Sequence, residues 1–272
     1  MNRTASRLGC LLLITILAFP LSTSATPPPA SADVALLITR AGLDGVTAME
    51  GFLNWKGLSY TQITSDEINE HALQDYFRVL VVPSGDFFAY VDLISFEGQE
   101  NIRKLVEHGG GYIGIGGGAY YAADRVEYCG QLYNFPLDLF RGLAFGRIDR
   151  ISPSVTMTRV SLDPDSALNQ TTDSDPHVLY TGGPAFYPER TMPVETVATY
   201  DEFEGDRAII AFELGSGRVL LLGPQLEYEE DSIRDGTSFY DSFTDQGSDW
   251  NLLGAYFDWV LGTALTPFQY PE

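Results

Sequence analysis

Short apolar runs and helix-like segments alternate along the first half of this chain. The apolar run at residues 34–38 is typical of a strand buried on both faces, and similar patterns predict strands at 60–63, 78–82 and 111–115. Apolar residues at helical spacing predict helices at residues 45–55 and 96–107, and residues 64–67 (TSDE) are typical of a helix start. Strands that alternate with helices predict βαβ units around a parallel sheet.

Strand-like patterns lie closer together in the second half. Residues 155–160, 178–180 and 194–200 each predict a strand, and residues 207–214 and 218–222 flank a Gly-Ser-Gly turn as a hairpin. Residues 252–261, apolar on most of their circumference, predict a closing helix. The patterns therefore predict an α/β fold with a mostly parallel sheet flanked by helices and a more β-rich C-terminal half.

The first 25 residues have the organisation of a secretory signal. Arg3 and Arg7 precede the apolar residues 8–21, and a small-residue cleavage site ends at Ala25. We expect residues 1–25 to be a cleaved signal peptide, 26–32 a flexible leader, 33–266 one domain and 267–272 a C-terminal tail. The mature protein would be secreted or periplasmic with no later membrane span; an uncleaved N-terminal anchor is the alternative.

The chain is strongly acidic, with 16 Lys and Arg residues against 37 Asp and Glu residues and a formal net charge of −21. Loss of Arg3 and Arg7 with the signal would take this charge to −23. Such a charge argues against nucleic acid and anionic membranes as partners. It favours either a protein adapted to a salty exterior, where ions screen self-repulsion, or an ordinary acidic secreted protein.

The most specific motif is a glycine turn at residues 111–121 (GYIGIGGGAYY). A β-rich run enters this turn and a short helix-like segment leaves it. In hydrolases and amidotransferases this strand–turn–helix arrangement holds a reactive Ser or Cys in a strained, exposed position. In this chain the residue at that position is Gly116.

Several segments together resemble the class I glutamine amidotransferase-like fold. More narrowly, they resemble the biotin–protein ligase N-terminal domain family, including its secreted bacterial members. The segments are residues 83–86 (PSGD), 102–103 (IR), 109–115 (GGGYIGI), 180–186 (YTGGPAF) and 223–227 (GPQLE). The resemblance spans most of the chain after residue 25 and implies a flavodoxin/amidotransferase-like sheet.

The resemblance also implies a degenerate catalytic triad. Active relatives read Gly-Ile-Cys-Ala-Gly-Ala-Tyr at the elbow, and the family often has a Pro-His-Pro-Glu stretch later. Gly116 therefore stands at the cysteine position and Gln225 at the histidine position, and only Glu227 remains. Loss of one member of a nucleophile–base pair typically lowers the rate by about 10⁴ to 10⁶. Ordinary glutaminase chemistry is accordingly not expected.

We expect a secreted or periplasmic pseudoenzyme that uses no cofactor and binds a small ligand or an envelope protein at the former active-site cleft. One alternative is a hydrolase in which Glu227 or Asp86 activates water. Another is a non-catalytic interaction domain of the cell envelope, in which the glycines merely permit a tight strand–helix crossing. The ligand-binding candidates are Ser84, Gly85, Asp86, Gly116, Gly117, Tyr120, Tyr121, Gly183 and Glu227.

Three further patterns leave alternatives open. Residues 114–119 match a dinucleotide-binding fingerprint, but they lie mid-chain and lack the acidic residue that follows the second strand. Cys129 fits a buried free thiol better than a displaced nucleophile, because no base is predicted nearby. We expect no metal centre, although the acidic tract at 227–249 leaves open a calcium site at Glu229, Glu230 and Asp231 without a regular calcium loop.

Overall fold

The computed structural model describes residues 26–40, 43–148, 151, 155–169, 176–202, 206–229, 232–243 and 247–262. The expected signal peptide (1–25) and C-terminal tail (267–272) lie outside these residues, as do Glu230 and Asp231. Within the described part of the chain, no helix is both long enough and apolar enough to cross a membrane.

Thirteen strands and six α-helices form the described structure. The strands are β1 (Val34–Leu37), β2 (Tyr60–Ile63), β3 (Val79–Val82), β4 (Gly111–Ile115), β5 (Ala123–Tyr128), β6 (Gln131–Asn134), β7 (Phe140–Gly146), β8 (Thr156–Leu162), β9 (His177–Tyr180), β10 (Ala185–Pro188), β11 (Glu195–Tyr200), β12 (Arg207–Leu214) and β13 (Gly217–Leu222). The helices are α1 (Leu43–Lys56), α2 (Ser65–Glu70), α3 (Phe87–Leu93), α4 (Phe96–Glu107), α5 (Gly117–Ala122) and α6 (Trp250–Val260).

The centre of the fold is a parallel sheet in the order β2-β1-β3-β4-β13. Beyond β13 the sheet continues through β12, β10, β7, β5 and β6, and β11, β8 and β9 branch from β12. The pairings beyond β13 are antiparallel except that of β5 with β7. This architecture confirms the predicted α/β fold with a β-rich C-terminal part.

Helices cover both faces of the parallel strands, which explains their uninterrupted apolar sequences. In β1, Val34 and Leu36 belong to the hydrophobic cluster that includes Phe52 of α1 and Leu253 of α6. The alternate residues of the same strand, Ala35 and Leu37, belong to the cluster on the opposite face. Because successive side chains of a strand point to opposite faces, a strand covered on both sides needs apolar residues at every position.

Several predicted elements are confirmed closely. The helix start at residues 64–67 is a capping box, in which the Thr64 hydroxyl accepts from the Glu67 N–H and the Glu67 carboxylate accepts from the Thr64 N–H. The predicted helix at 96–107 and the hairpin β12–β13 are present as expected.

The sequence patterns missed α3, β5, β6, β7 and β10. Strand β5 follows α5 without a turn, and Asp124, Arg125 and Glu127 interrupt its apolar pattern. Its pairing with β6 through the turn at Cys129 and Gly130 depends on contacts that a local pattern cannot contain. Cys129 lies exposed at this turn, so the expectation of a buried thiol was wrong.

The expected leader, residues 26–32, runs along the outside of the β2 edge of the sheet. The Thr26 N–H donates to the Glu70 carboxylate at 2.6 Å, and the Thr61 hydroxyl donates to the Ala30 carbonyl at 2.9 Å. These bonds attach the segment to α2 and β2. Its expected flexibility stays a prediction.

Candidate functional site

The turn between β4 and α5 has the geometry of an elbow. Gly116 has φ of 50° and ψ of −103°, in a region that residues with a side chain rarely adopt. Its N–H donates to the Leu222 carbonyl at 2.8 Å, and its own carbonyl accepts from the N–H groups of Ala119 and Tyr120. The predicted strand–turn–helix arrangement is therefore present, with glycine at the strained position.

A side chain at Gly116 would point between two polar groups. A Cβ atom built there would lie 2.8 Å from Nε2 of Gln225 and 2.8 Å from Oγ of Ser84. The space next to the elbow that a nucleophile would need is thus bordered by the side chains of Gln225 and Ser84. The elbow brings together residues from the carboxyl ends of three neighbouring strands, β3, β4 and β13.

Gly117 serves close packing. A Cβ atom added to it would overlap the carbonyl oxygen of Gly85, which belongs to the loop after β3. The glycine turn therefore does permit a tight strand–helix crossing, and it also lines a pocket. The two interpretations of this turn are compatible.

The pocket at the elbow has a volume of about 90 Å³. Since a water molecule occupies about 30 Å³ of the liquid, the space suits a few waters or one small polar group. Six of the predicted binding residues line it, namely Ser84, Gly85, Gly116, Gly117, Tyr120 and Gly183. The other lining residues are Phe87, Tyr128, Thr181, Gly182 and Gln225.

Gln225 is buried and held by its own hydrogen bonds. Its Oε1 accepts from the Thr181 N–H at 2.9 Å, and its Nε2 donates to the Gly223 carbonyl at 3.3 Å. A carboxamide in this position orients a polar N–H towards the elbow. It supplies no basic nitrogen, because an amide does not accept a proton at neutral pH.

Glu227, one of the predicted binding residues, does not line the pocket. The side chain is fully buried, and its Oε1 accepts from the Ser84 hydroxyl at 3.4 Å. Within the described residues its Oε2 has no hydrogen-bond partner. Burial raises the pKa of Glu227 from 4.5 to about 8, because the charged form loses its hydration. At neutral pH the protonated form therefore predominates.

Two other candidates lie outside the pocket lining. Asp86 is exposed and caps α3, since its Oδ1 accepts from the N–H groups of Phe88 at 3.0 Å and Ala89 at 3.4 Å. Tyr121 is buried on the far side of α5, with its ring 5.9 Å from that of Tyr90. Tyr120, by contrast, lines the pocket and donates its hydroxyl to the Gly182 carbonyl at 3.0 Å.

An aromatic wall on one side of the pocket was not predicted. Tyr128, at the end of β5, places its ring 5.0 Å from that of Phe87 and 5.7 Å from that of Tyr120. It reaches the pocket because β5 pairs with β7, a contact that the local sequence pattern does not encode. Thr181 and Gly182 also line the pocket and were not among the predicted binding residues. Both belong to the segment 180–186, whose family resemblance could have indicated them.

Glu229, a candidate calcium ligand, has other partners. Its carboxylate pairs with Arg234 and accepts from the Ser248 hydroxyl, while the guanidinium of Arg234 lies 4.2 Å from the ring centroid of Trp250. Among the described residues, no three His, Cys, Asp or Glu side chains are arranged to hold a metal ion. A calcium site at Glu229 would have to displace this arginine.

Comparison with known proteins identifies relatives over much of the chain. The profile of the family described as "Biotin-protein ligase, N terminal" matches residues 55–246. An uncharacterized protein of Chlamydia muridarum is 31% identical over 170 residues, which are 59% of this chain and 64% of that protein. A biotin–protein ligase of Schizosaccharomyces pombe is 28% identical over 174 residues, which are 58% of this chain and 27% of the ligase. The match thus spans less than two thirds of each relative.

Solved structures show the same fold at low sequence identity. A crystal structure described as a glutamine amidotransferase superposes with a TM-score of 0.56 and 16% identity, over 85% of this chain and 99% of that chain. A cytoplasmic protein from Salmonella typhimurium LT2 superposes with a TM-score of 0.53 and 11% identity, over 84% of this chain and 99% of its own. These similarities define the fold class.

Proposed function

This chain belongs to the biotin–protein ligase N-terminal domain family and has a class I glutamine amidotransferase-like fold, and from this premise we propose that it is a secreted or periplasmic binding protein without amidotransferase activity. The observation that carries the proposal is the elbow itself. Glycine stands at the strained position, and the carboxamide of Gln225, in the segment after β13, faces it.

The chemistry of these two residues supports a binding role. Nucleophilic acyl transfer needs a thiol or hydroxyl at the elbow and a base that takes its proton. Gly116 offers no nucleophile, and the Gln225 amide offers no base. What the pocket does offer is a set of fixed polar groups, including the Ser84 hydroxyl and the Gln225 N–H, beside the aromatic rings of Tyr120 and Tyr128.

The size of the pocket limits what it accepts. A volume of about 90 Å³ admits a carboxamide, a carboxylate or a similar small group. That group is either a whole small ligand or the end of a larger one, including a side chain of an envelope protein. The secreted or periplasmic location rests on the signal-like pattern of residues 1–25.

Two measurements on the purified protein test this proposal. We expect no turnover of amides, peptides, esters or glycosides. We also expect that one or more of acetate, acetamide, glutamate and glutamine raises the melting temperature. Tyr128→Ala should abolish that increase, because Tyr128 lines the pocket, whereas Tyr133→Ala on the same hairpin should retain it. Turnover by the unaltered protein would contradict the proposal, and so would stabilisation that survives Tyr128→Ala.

A second candidate function is favoured by the contact between Ser84 and Glu227. The Ser84 hydroxyl lines the pocket and donates to a buried carboxyl group whose pKa is raised to about 8. In its ionised form Glu227 could take the Ser84 proton while the Ser84 oxygen attacks a carbonyl carbon. The leaving group would then depart with that proton, and water would hydrolyse the acyl-serine, as in a hydrolase rebuilt beside the elbow. This version of the hydrolase uses Ser84 with Glu227, and Asp86 is excluded from the pocket by its capping role.

The hydrolase has a distinct signature. It predicts turnover that rises with pH through about 8, as Glu227 ionises. Ser84→Ala and Glu227→Gln should each abolish this activity, while Asp86→Asn should leave it unchanged. Absence of turnover at pH 9 across the substrate panel would rule this candidate out and leave the binding role.

A further inference from the structure

A second cavity lies at a different position along the same edge of the sheet. The order β2-β1-β3-β4-β13 means that the chain leaves β1 towards β2 on one side and leaves β3 towards β4 on the other. Next to this divergence a crevice opens beside α3, at the carboxyl ends of β1 and β2. In open α/β sheets such a crevice is the usual place for a ligand.

The cavity at this crevice has a volume of about 560 Å³. This value lies within the range of about 300–1,000 Å³ that is usual for small-molecule sites. Its walls come from residues 38–40 after β1, the first residue of α1, residues 64–66 at the start of α2, and α3. The elbow pocket shares none of these lining residues, so the two sites are separate.

One wall of the cavity is apolar and unusually exposed. Ile38, Leu43 and Leu93 line it, and Leu43 and Leu93 keep 58% and 48% of their surface accessible. Covering these leucines would release about 25 cal/mol for each Å² of apolar surface removed from water. The apolar body of a ligand would supply that cover.

The rim of the cavity carries one charge of each sign. Arg40 and Asp66 both line it, and within the described residues neither makes an ion pair. Ser65 belongs to the same lining. A ligand with only one charge would leave the other group unpaired beside its apolar body. In a chain with a net charge of −21, a simple anion would also be repelled at long range, whereas a neutral zwitterion would not.

We propose that this cavity binds a zwitterionic small molecule with an apolar body, of the class of hydrophobic amino acids and dipeptides. Arg40 pairs with the carboxylate of the ligand and Asp66 with its ammonium group. The ligand's side chains cover Leu43 and Leu93. Each charged contact is a charge-assisted hydrogen bond, and its loss weakens binding about tenfold.

Calorimetric titration of the purified protein tests the proposal. The probes are leucine, phenylalanine and the dipeptide Leu-Phe, together with N-acetyl-Leu-Phe, which lacks the ammonium group, and Leu-Phe amide, which lacks the carboxylate. We expect at least one zwitterion of this panel to bind at millimolar or lower concentration. Each blocked derivative should bind about tenfold more weakly than Leu-Phe, because one charge is left unpaired.

Paired variants assign each charge to its residue. Arg40→Gln should weaken the binding of Leu-Phe about tenfold and leave the binding of Leu-Phe amide unchanged. Asp66→Asn should likewise weaken the binding of Leu-Phe about tenfold and leave the binding of N-acetyl-Leu-Phe unchanged. Arg141→Gln, at an exposed arginine of β7, is the matched control and should change nothing. Tyr128→Ala should also leave binding intact, since that residue lines the elbow pocket.

Three outcomes would overturn the proposal. The first is that no zwitterion of the panel binds. The second is that the blocked derivatives bind as tightly as Leu-Phe. The third is that Arg40→Gln and Asp66→Asn behave like Arg141→Gln. Because Arg40 and Asp66 are exposed, these substitutions leave the core intact, and failure to fold would not obscure the result.

Discussion

At the scale of single residues, the most informative group is a carboxyl that the fold has taken out of water. Glu227 is fully buried, its partner is a hydroxyl at 3.4 Å, and no cation neutralises it among the described residues that surround it. Burial of an unpaired carboxylate is costly, so the group keeps its proton. The same residue is therefore inert as a base at neutral pH and becomes one only as it ionises.

Glu227 makes the stability of the protein depend on pH. Its pKa is about 8 in the folded protein and about 4.5 when unfolded, so unfolding between these values releases a proton. The stabilisation that comes from protonated Glu227 is complete below pH 4.5 and is lost as the pH rises through 8. We expect the free energy of unfolding to fall by several kcal/mol over this range, at about 1.4 kcal/mol per pKa unit.

Glu227→Gln isolates this contribution, because its amide oxygen still accepts from Ser84 but cannot ionise. Urea unfolding at pH 5 and pH 9 should show that the variant loses less stability than the unaltered protein between the two values. Equal losses would show that Glu227 is not the group responsible.

At the scale of elements, the glycine turn makes the crossing of α5 over the loop after β3 possible. Gly116 is required for its backbone angles, whereas Gly117 is required for space. Near Gly116 the neighbouring atoms are the ends of the Gln225 and Ser84 side chains, which can yield more easily than backbone. Near Gly117 the neighbour is the backbone of Gly85, which cannot.

This difference predicts unequal effects of two alanine substitutions. Gly116→Ala should lower the free energy of unfolding by about 1–3 kcal/mol, the usual cost of a residue held in an unfavourable region. Gly117→Ala should cost about 3 kcal/mol, the upper end of the usual range for overpacking, although alanine favours a helix over glycine by about 1 kcal/mol. Denaturant unfolding of both variants shows which substitution lowers the free energy of unfolding more. A Gly117→Ala variant more stable than the unaltered protein would contradict the close approach of Gly117 to Gly85.

At the scale of the whole molecule, charge dominates behaviour in solution. The described ion pairs bring together a minority of the acidic residues, and a net charge of −21 leaves the chain repelling itself. Salt screens such repulsion, since the Debye length falls from about 10 Å at 0.1 M to about 3 Å at 1 M.

We therefore expect the melting temperature to rise as sodium chloride is increased from about 0.05 M to about 0.5 M. Potassium chloride should have the same effect, because screening depends on ionic strength. Calcium chloride at matched ionic strength separates screening from the calcium site left open at Glu229, Glu230 and Asp231. An extra rise with calcium alone would support that site and would mean that calcium displaces Arg234 from Glu229.

The sequence determined the parallel centre of the fold and the chemistry absent from the elbow. Uninterrupted apolar runs such as β1 and β3 are buried completely in a strand that is covered on both faces. Glycine at position 116 has no side chain and therefore cannot act as a nucleophile. The capping box at Thr64 and the glycine turn are also local, so their geometry follows from a few consecutive residues. The capping box and the glycine turn can be predicted from the sequence because short-range steric contacts and hydrogen bonds determine them.

Tertiary structure alone decided the rest. It placed Tyr128 at the pocket through the pairing of β5 with β7, turned Asp86 away as a helix cap, and buried Glu227 beneath Ser84. It also opened the cavity at the carboxyl ends of β1 and β2, which depends on the order of strands in the sheet. Burial, pKa and pocket lining arise from residues far apart in the chain, and no local pattern specifies which of them will meet.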